Sequence, residues 1–397
     1  MVIQNRLKNI LNIARKNVPY YKYMSSIHER DCKLDDFPIL NRSVLSQESF
    51  RFLNAEYSMY DVKYMVCQRT SGTSTGYPLN IYWKNEDYIR SSYYIWKYRK
   101  KWYDINPMDK YVCFHTYSYL RNRAEKSKDI IYGTNYISLN ICDVTDDVLA
   151  YYCMIIDQYK PKWIQFIPHI ALMLVNYMKK NDIEPVSTLK YIEYNGETLS
   201  DSIREQVDGF FNIQSANLYG SIETNAIAFE CPHRNMVIIS DNVYVESVGN
   251  KSYVTNLHNT VMPLIRYDLE DEVLITKKGC NCSKGDFVIS KIFGRKTNEI
   301  QIGSDYVTEA KAGYCVDLIN GNLCNCIQQF QFIKDVSAGS WMLLFYILPK
   351  FNGWKDAIIS ETNKIFNLHH ISISKENILF TNREINVNGK KFSVFKQ

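Results

Sequence analysis

Residues 163–211 read WIQFIPHIALMLVNYMKKNDIEPVSTLKYIEYNGETLSDSIREQVDGFF, and they contain two strand-like runs, each followed by a helical pattern. The strand-like runs cover 163–167 and 189–194, and the helical patterns cover 170–181 and 200–211. The same alternation extends outward to strand-like runs at 111–115 and 216–218 and a helical pattern at 146–158. Strands that alternate with helices predict an α/β domain with a largely parallel sheet.

The pattern changes on both sides of this alternating region. The first 60 residues are mostly helical in pattern, a strand-like run follows at 62–68, and a helical pattern covers 86–102. Short β-like runs with tight turns over 237–302 predict a small barrel-like or antiparallel section. The last hundred residues contain β-like runs at 327–333 and 341–347 and one helical pattern at 354–366. We therefore expect an α/β protein with a large multi-layer N-terminal domain, residues 1–293, and a small α+β C-terminal domain, residues 294–397. The barrel-like section covers about 237–293.

Composition and charge exclude several classes of protein. The 397 residues are 46% hydrophobic, and the 47 basic and 42 acidic side chains are scattered along the chain, for a net charge of +5. No basic block is long enough to follow a phosphate backbone, so we expect no nucleic-acid partner. Polar residues interrupt every apolar run near the N-terminus, and the longest later run, 341–348, is too short to cross a bilayer. We expect a soluble cytoplasmic protein that is not bound to a membrane.

The cysteine count points away from disulfides. Eleven cysteines are an odd number in a long chain without an export signal. Free thiols or a metal site are therefore the remaining interpretations.

A Thr/Ser/Gly-rich loop, TSGTSTGYP at 70–78, follows a strand-like run. Glycines let the backbone turn its N–H groups toward an anion, and the hydroxyls add donors without adding charge. The loop lacks the Gly-Lys-Ser/Thr ending of the common nucleotide P-loop, which excludes that class. Taken alone, the loop fits a flexible turn as well as an anion site.

Further motifs follow in order, and each alone also fits an ordinary turn. They are LYGSIE at 218–223, PLIRYDLED at 263–271, GRKTN at 294–298 and GK at 389–390. Flanking segments are NVPYY at 17–21, FPIL at 37–40, IPH at 167–169 and YNGE at 194–197. In this order and at these separations, the motifs resemble the adenylate-forming (acyl-CoA synthetase-like) enzymes. The resemblance is to the branch of the phenylacetate–coenzyme A ligases and the CapK-like capsule-biosynthesis proteins, and it runs over nearly the whole chain.

The resemblance implies a nucleotide site. It implies that the β- and γ-phosphates of ATP are held by the loop residues Thr70, Ser71, Gly72, Thr73, Ser74, Thr75 and Gly76. It also implies that Gly196 and Glu197 border the adenine, and that Tyr219, next to Gly220 of the same motif, stacks on it.

The resemblance also implies the residues around the reacting phosphate. Glu223 is expected to coordinate Mg²⁺, and Asp271 to accept hydrogen bonds from the ribose, with Arg295 nearby. Lys390, on a mobile lid hinged near 295–298, is expected to bridge the substrate carboxylate and the α-phosphate. A carboxylate must approach a phosphorus surrounded by negative oxygens, so a cation and a point-charge lysine are the groups this chemistry needs.

The implied activity is ATP-dependent activation of a small carboxylic acid to acyl-AMP, followed by transfer to coenzyme A. One alternative is transfer to an amine, as in an amide-forming ligase of polysaccharide or secondary-metabolite biosynthesis. It is motivated by Ser304-Asp305-Tyr306-Val307-Thr308, where the family has an Asn and a Pro after the glycine. A second alternative is an inactive ligase fold used as a binding module, against which the retained charged residues argue. Homodimers also occur in this branch.

Two cysteine-containing turns provide a candidate zinc site. Cys231-Pro232-His233 and Cys280-Asn281-Cys282 supply three thiols and one imidazole, a set suited to closed, tetrahedral, structural Zn²⁺. Each pair has a one-residue spacer, shorter than the common two to four, and two incidental exposed turns are the alternative. Some members of the resembled branch carry a Cys/His cluster at the same two places, which favours the metal.

Overall fold

The computed structural model describes residues 2–24, 32–69, 79–115, 130–141, 144–248, 251–277, 282, 287–295, 299–302, 305–323, 326–369, 371–383, 385 and 394–396. The α-helices in this part are α1 (Val2–Asn17), α2 (Pro19–Lys22), α3 (Arg42–Gln47), α4 (Met59–Lys63), α5 (Asn85–Tyr103), α6 (Asp146–Tyr159), α7 (Pro168–Lys180), α8 (Asp201–Phe211), α9 (Glu309–Asn322) and α10 (Lys355–Leu368). The first ten strands are β1 (Val66–Arg69), β2 (Asn80–Trp83), β3 (Tyr111–His115), β4 (Ile130–Tyr132), β5 (Tyr136–Asn140), β6 (Trp163–Phe166), β7 (Tyr191–Tyr194), β8 (Ser215–Ser221), β9 (Asn225–Glu230) and β10 (Met236–Ile238). The others are β11 (Val243–Val248), β12 (Lys251–Asn256), β13 (Tyr267–Thr276), β14 (Val288–Arg295), β15 (Glu299–Ile302), β16 (Asp305–Thr308), β17 (Ile327–Asp335), β18 (Ser340–Ile347), β19 (Ile378–Thr381) and β20 (Phe395–Lys396).

The described chain divides into two compact units. The first unit holds the described residues of 1–109 and 216–292, and the second holds those of 110–215 and 293–397. Together they contain both helices and strands, so the fold is mixed α/β, as the alternating pattern predicts.

The first unit contains a run of strands in the order β11-β12-β13-β14-β10-β9-β8. The registered pairs β11/β12, β12/β13, β10/β14, β9/β10 and β8/β9 are all antiparallel. The pairs β11/β12 and β12/β13 lie within 237–302 and agree with the antiparallel section predicted there. The core of the unit packs the N-terminal helices against these strands, and its fully buried members include Ile10, Tyr21, Trp83 and Ile265.

The second unit contains the parallel sheet predicted from residues 163–211. Its strands run in the order β7-β6-β3-β5-β4, with β3, β5, β6 and β7 parallel and β4 antiparallel to β5. Helices α6, α7 and α8 cover one face through Ile156, Val175 and Val207. Local signals fix where these helices begin: Ser200 caps α8 by accepting the N–H of Ile203 at 3.2 Å, and a proline opens α7.

The C-terminal residues of the second unit form a separate hydrophobic core. A four-stranded sheet, β19-β18-β17-β20, packs with α9, α10 and the β15/β16 hairpin around Ile319, Leu343 and Phe366. The buried residues of this core run from Ile300 to Ile378, and none of them is shared with the core under α6–α8.

Two details of the sequence interpretation are wrong. The strand expected at 62–68 begins only at Val66, because residues 59–63 form α4. This helix is fixed by a capping box, in which Ser58 accepts the N–H of Asp61 at 3.3 Å and the Asp61 carboxylate accepts the N–H of Ser58 at 2.8 Å.

The last hundred residues contain two helices, α9 and α10, whereas the sequence interpretation gave only the one at 354–366. Its sequence EAKAGYCVDLINGN includes two glycines, which lower helix propensity. Ala312, Val316 and Ile319 are nevertheless buried at helical spacing, so packing stabilises the helix. Among the described residues, no helix combines the length and apolar character needed to cross a bilayer.

Candidate functional site

Glu223 lies in the tight turn that joins β8 to β9. The turn requires the glycine of its motif, because a Cβ on Gly220 would lie 2.7 Å from the carbonyl oxygen of Asn225. Asn225 itself has a positive φ of 63°, and Ser221 accepts the N–H of Thr224 at 3.2 Å. Gly220 thus allows the close backbone approach that holds Glu223 in place.

The Glu223 carboxylate is buried in an ion pair. Its Oε1 accepts hydrogen bonds from Arg42 Nη1 at 2.7 Å and from the Tyr267 hydroxyl at 2.9 Å. The side chains of Arg42 and Glu223 are only 5% and 3% exposed. A buried carboxylate needs a paired charge and hydrogen bonds to offset its desolvation, and Arg42 and Tyr267 supply both.

Tyr219 and Asp271 contact each other directly. The phenol of Tyr219, on β8, donates to Oδ2 of Asp271, on β13, at 2.7 Å. The structure therefore joins two motifs of the sequence twice, through this bond and through the bond from Tyr267 to Glu223. Three of the sequence-predicted site residues, Tyr219, Glu223 and Asp271, meet in this part of the first unit.

Gly196 and Glu197 follow β7 at the carboxyl edge of the parallel sheet in the second unit. Gly196 has a positive φ of 82°, which favours glycine. Oε2 of Glu197 contacts Nδ1 of His169 at 2.6 Å, and the two side chains are 11% and 10% exposed. Oε1 of Glu197 is buried and has no hydrogen-bond partner among the described residues. The carboxyl edge of a parallel sheet is where α/β proteins bind ligands, so this loop is well placed for one.

His115 ends β3 at the same edge, and the partly buried thiol of Cys113 lies two residues before it. Nδ1 of His115 lies 2.9 Å from the Ser138 hydroxyl, so this histidine is a hydrogen-bonded residue at the end of β3. Burial raises the pKa of the neighbouring Cys113 thiol to about 11. Cys113 is therefore protonated near neutral pH and is a poor nucleophile.

Cys231, His233 and Cys282 form a potential metal-binding group in the first unit. Their ligand atoms all lie within 4.8 Å of one another, and His233 Nδ1 is 3.0 Å from Cys282 Sγ. Cys231 is fully buried, and the turn that follows β9 is closed by the N–H of Arg234, which donates to the Cys231 carbonyl at 2.9 Å. Lys101 of α5 donates to the Cys282 carbonyl at 2.9 Å and links the second turn to the helix. Three of the four predicted zinc ligands are thus brought together.

Several predicted site residues lie outside the described part of the chain. They are the phosphate-loop residues Thr70, Ser71, Gly72, Thr73, Ser74, Thr75 and Gly76, the fourth thiol Cys280, and Lys390. Arg295 ends β14, but its side chain is not described.

Sequence reasoning missed three residues that contact the predicted ones. Arg42 and Tyr267 bind Glu223, and His169 binds Glu197. His169 lies in the segment IPH at 167–169 and Tyr267 in PLIRYDLED at 263–271, so both could have been found from these motifs. Arg42 carries no such signal, because it is 181 residues from its partner.

Comparisons with known proteins agree with this architecture. No protein-family model matches the chain. It is 24% identical over 180 residues to a phenylacetate–coenzyme A ligase of Thermus thermophilus, a match that covers 41% of this chain and 40% of the ligase. It is 23% identical over 309 residues to the protein CapK of Staphylococcus aureus, covering 75% of this chain and 68% of CapK. A crystal structure of 2-hydroxyisobutyryl-CoA ligase in the postadenylation state, in complex with R3-HIB-AMP, superposes with a TM-score of 0.77 at 14% identity, covering all of this chain and 89% of the ligase.

Proposed function

We propose that this chain, which belongs to the adenylate-forming superfamily, activates a small carboxylic acid with ATP and passes the acyl group to coenzyme A. A carboxylate oxygen attacks the α-phosphorus of ATP, the bond to the bridging oxygen breaks, and pyrophosphate leaves with that oxygen. The thiol of coenzyme A then attacks the acyl carbon, and AMP leaves with the oxygen that came from the acid. The superposition on a ligase that carries an acyl-AMP supports this proposal.

The observation that carries the proposal is the double link between two motifs of the first unit. Tyr219 bonds to Asp271, and Tyr267 bonds to Glu223. We assign the Tyr219 ring to the adenine and the Asp271 carboxylate to the ribose hydroxyls. These roles need both residues in one place, and the hydrogen bond between them meets that requirement.

Glu223 suits a hard divalent cation. Carboxylate oxygens are preferred ligands of Mg²⁺, which is commonly bound by one or two carboxylates together with substrate phosphates. Glu223 would hold the ion, with the loop hydroxyls of 70–76 nearby. When bound, Mg²⁺ would neutralise phosphate charge in the transition state. Arg42 and Tyr267 hold the carboxylate in one orientation.

The C-terminal residues 294–397, hinged near 295–298, act in this proposal as a lid that delivers Lys390. The separate core around Ile319, Leu343 and Phe366 supports a segment that keeps its own structure when it moves. A lysine on such a lid would reach the α-phosphate only when both substrates are bound. Arg295 would stand near the ribose at the hinge.

The identity of the acyl acceptor is tested by comparing coenzyme A with amines. The segment 304–308 departs from the family sequence in the lid, which favours an amine as the second candidate acceptor. Pyrophosphate release is measured across a panel of carboxylic acids, and the best acid is then offered coenzyme A or a set of amines, including amino sugars and amino acids. A thioester product supports the proposal, an amide product supports the second candidate, and no acid-dependent release overturns both. ATP and coenzyme A as substrates would place the reaction in the cytoplasm.

A structural zinc ion fits the cysteine–histidine group. Bonds of 2.0–2.3 Å in a tetrahedral site put ligand atoms about 3.3–3.8 Å apart. The ligand atoms of Cys231, His233 and Cys282 lie within 4.8 Å of one another, with His233 Nδ1 3.0 Å from Cys282 Sγ, so small side-chain movements would bring them to these separations. We propose Cys280 as the fourth ligand. With four protein ligands, the ion would have no open position for a substrate, so its role would be to fasten the β9–β10 turn to the segment before β14.

A further inference from the structure

The two oxygens of the Glu223 carboxylate have different surroundings. Oε1 accepts two hydrogen bonds, from Arg42 Nη1 at 2.7 Å and from the Tyr267 hydroxyl at 2.9 Å. Oε2 accepts none from the described residues, and it is not among the buried polar atoms that lack a partner, so it reaches accessible space. A carboxylate oxygen has about two lone-pair sites, so Oε1 is saturated and Oε2 is open.

The two donors are held together by one piece of backbone structure. Leu40 forms a parallel bridge with Tyr267, in which the N–H of Leu40 donates to the Arg266 carbonyl at 3.1 Å and the N–H of Asp268 donates to the Leu40 carbonyl at 2.9 Å. Arg42 begins α3 only two residues after Leu40. The start of α3 and the start of β13 therefore place both donors on the same side of the carboxylate.

We propose that Arg42 and Tyr267 are positioning residues that leave Glu223 a single oxygen for a metal ion and thereby favour Mg²⁺ over Ca²⁺. This inference rests on the proposed function, in which Glu223 is the magnesium ligand. Ca²⁺ takes six to eight oxygens and often binds a carboxylate through both of them. Mg²⁺ keeps an octahedral shell with several waters and needs only one oxygen from a carboxylate. Because Oε1 is saturated, a metal ion cannot bind Glu223 through both carboxylate oxygens. This weakens the binding of Ca²⁺ but does not affect Mg²⁺, which needs only Oε2.

Charge adds a separate preference, for a metal–nucleotide complex over a free ion. The Arg42 guanidinium offsets the buried Glu223 charge before any metal arrives, so the carboxylate is not available to whichever cation is most abundant. Only a cation that brings its own anionic ligands, as Mg²⁺ does with ATP phosphates, would gain much from Oε2. The site would thus accept the nucleotide complex in preference to a free ion.

The test uses metal binding as its readout. Mn²⁺ replaces Mg²⁺, and its binding to the full-length protein with ATP is followed by electron paramagnetic resonance while Ca²⁺ is added as a competitor. The variants are Arg42→Lys, which keeps the charge but loses the planar fork, and Tyr267→Phe, which removes one donor. Tyr21→Phe is the matched control, because the Tyr21 hydroxyl also makes a buried hydrogen bond, accepting the N–H of Ile265 at 3.1 Å, away from Glu223.

The Ca²⁺ concentration that displaces half of the bound Mn²⁺ should be the same for the wild-type protein and Tyr21→Phe. In Arg42→Lys and Tyr267→Phe, the Ca²⁺ concentration that displaces half of the Mn²⁺ should fall about tenfold, the effect of one hydrogen bond to a charged group. An unchanged concentration in both variants would overturn the inference.

A Glu223→Gln variant separates this failure from that of the proposed function. If Glu223→Gln loses the Mn²⁺ site while the other variants compete like wild type, only the inference fails. If Glu223→Gln keeps the site, the magnesium role of Glu223 fails and the inference falls with it.

Discussion

Tyr219 donates a hydrogen bond to Asp271 at 2.7 Å, although their strands, β8 and β13, stand four places apart in the sheet. In a flat sheet, four strand spacings separate two strands by about 19 Å. Two side chains cannot span that distance, so the sheet of the first unit must curl to bring β8 and β13 together. Because the sheet curls, Tyr219 and Asp271 lie in one site although they are 52 positions apart in the sequence.

Replacement of Asp271 should weaken ATP binding more than it weakens the fold. In Asp271→Asn the charged acceptor proposed for the ribose is lost, and the Kd for ATP should rise about 10- to 100-fold, the range of a hydrogen bond to a charged group. Calorimetric titration with ATP measures this. Asp241→Asn is the control, since Asp241 pairs with Arg6 at 3.1 Å in a half-exposed ion pair of the same unit. Equal ATP affinity in the two variants would contradict the ribose role.

His169 should stabilise the second unit through Glu197. Their contact is 2.6 Å long and nearly buried, so His169→Leu removes the partner of a carboxylate oxygen and should cost about 1–3 kcal/mol of unfolding free energy. Urea unfolding of His169→Leu, Glu197→Gln and the double variant gives the coupling energy. Additive effects of the two single changes would mean that the contact contributes nothing.

Zinc content should depend on the proposed cysteine ligands. Purified protein should contain about one zinc per chain, and Cys231→Ser or Cys282→Ser should lose it because a hydroxyl is a much poorer zinc ligand than a thiolate. Elemental analysis measures the metal, and Cys153→Ser, a buried thiol outside the group, is the matched control. A stably folded wild-type protein without metal would refute the site.

Stability of the first unit should fall in mild acid because of His258. Burial lowers the pKa of His258 from its ordinary value of 6.5, assisted by Arg6 and Arg90, while its contact with the Asp241 carbonyl and the charge of Asp87 act in the opposite direction. Tyr94 stacks on the ring with centroids 5.3 Å apart. The unfolded chain therefore takes up a proton at a higher pH than the folded chain, and stability drops as the pH falls below about 6.5 toward the folded pKa.

The variant His258→Gln keeps a side-chain N–H for the Asp241 carbonyl, which lies 2.9 Å from His258 Nε2, but it cannot take up this proton. Its unfolding free energy should vary less between pH 7.5 and 5.5 than that of the wild type, as urea titrations at each pH would measure. Parallel curves for the two proteins would exclude His258 as the cause.

Local patterns predicted much of the fold. The runs at 111–115 and 163–167 and the helical patterns at 146–158 and 200–211 fall within about one residue of the observed elements, because alternation and helix caps are local signals. Helix α9 escaped prediction because its glycine-containing sequence has weak helix propensity and depends on packing against residues far along the chain.

The candidate site was predictable only as separate motifs. Tyr219, Glu223 and Asp271 could be named from the sequence, but their hydrogen-bond partners could not all be. The bond from Arg42 to Glu223 joins residues 181 positions apart, through a bridge between Leu40 and Tyr267 that no periodic pattern encodes. Long-range pairs of this kind depend on how the sheet curls, which side-chain spacing does not specify.

The most direct test of the central claim follows the oxygen that moves in the reaction. An acid from the pyrophosphate-release panel is labelled with ¹⁸O in both carboxylate positions and turned over with ATP and its acceptor, and AMP is analysed by mass spectrometry. Attack of the carboxylate on the α-phosphorus predicts one ¹⁸O atom in each AMP, and Lys390→Ala should form almost no labelled AMP. Label that appears in inorganic phosphate, with ADP as the nucleotide product, or AMP that carries no label, would contradict activation through an acyl-adenylate.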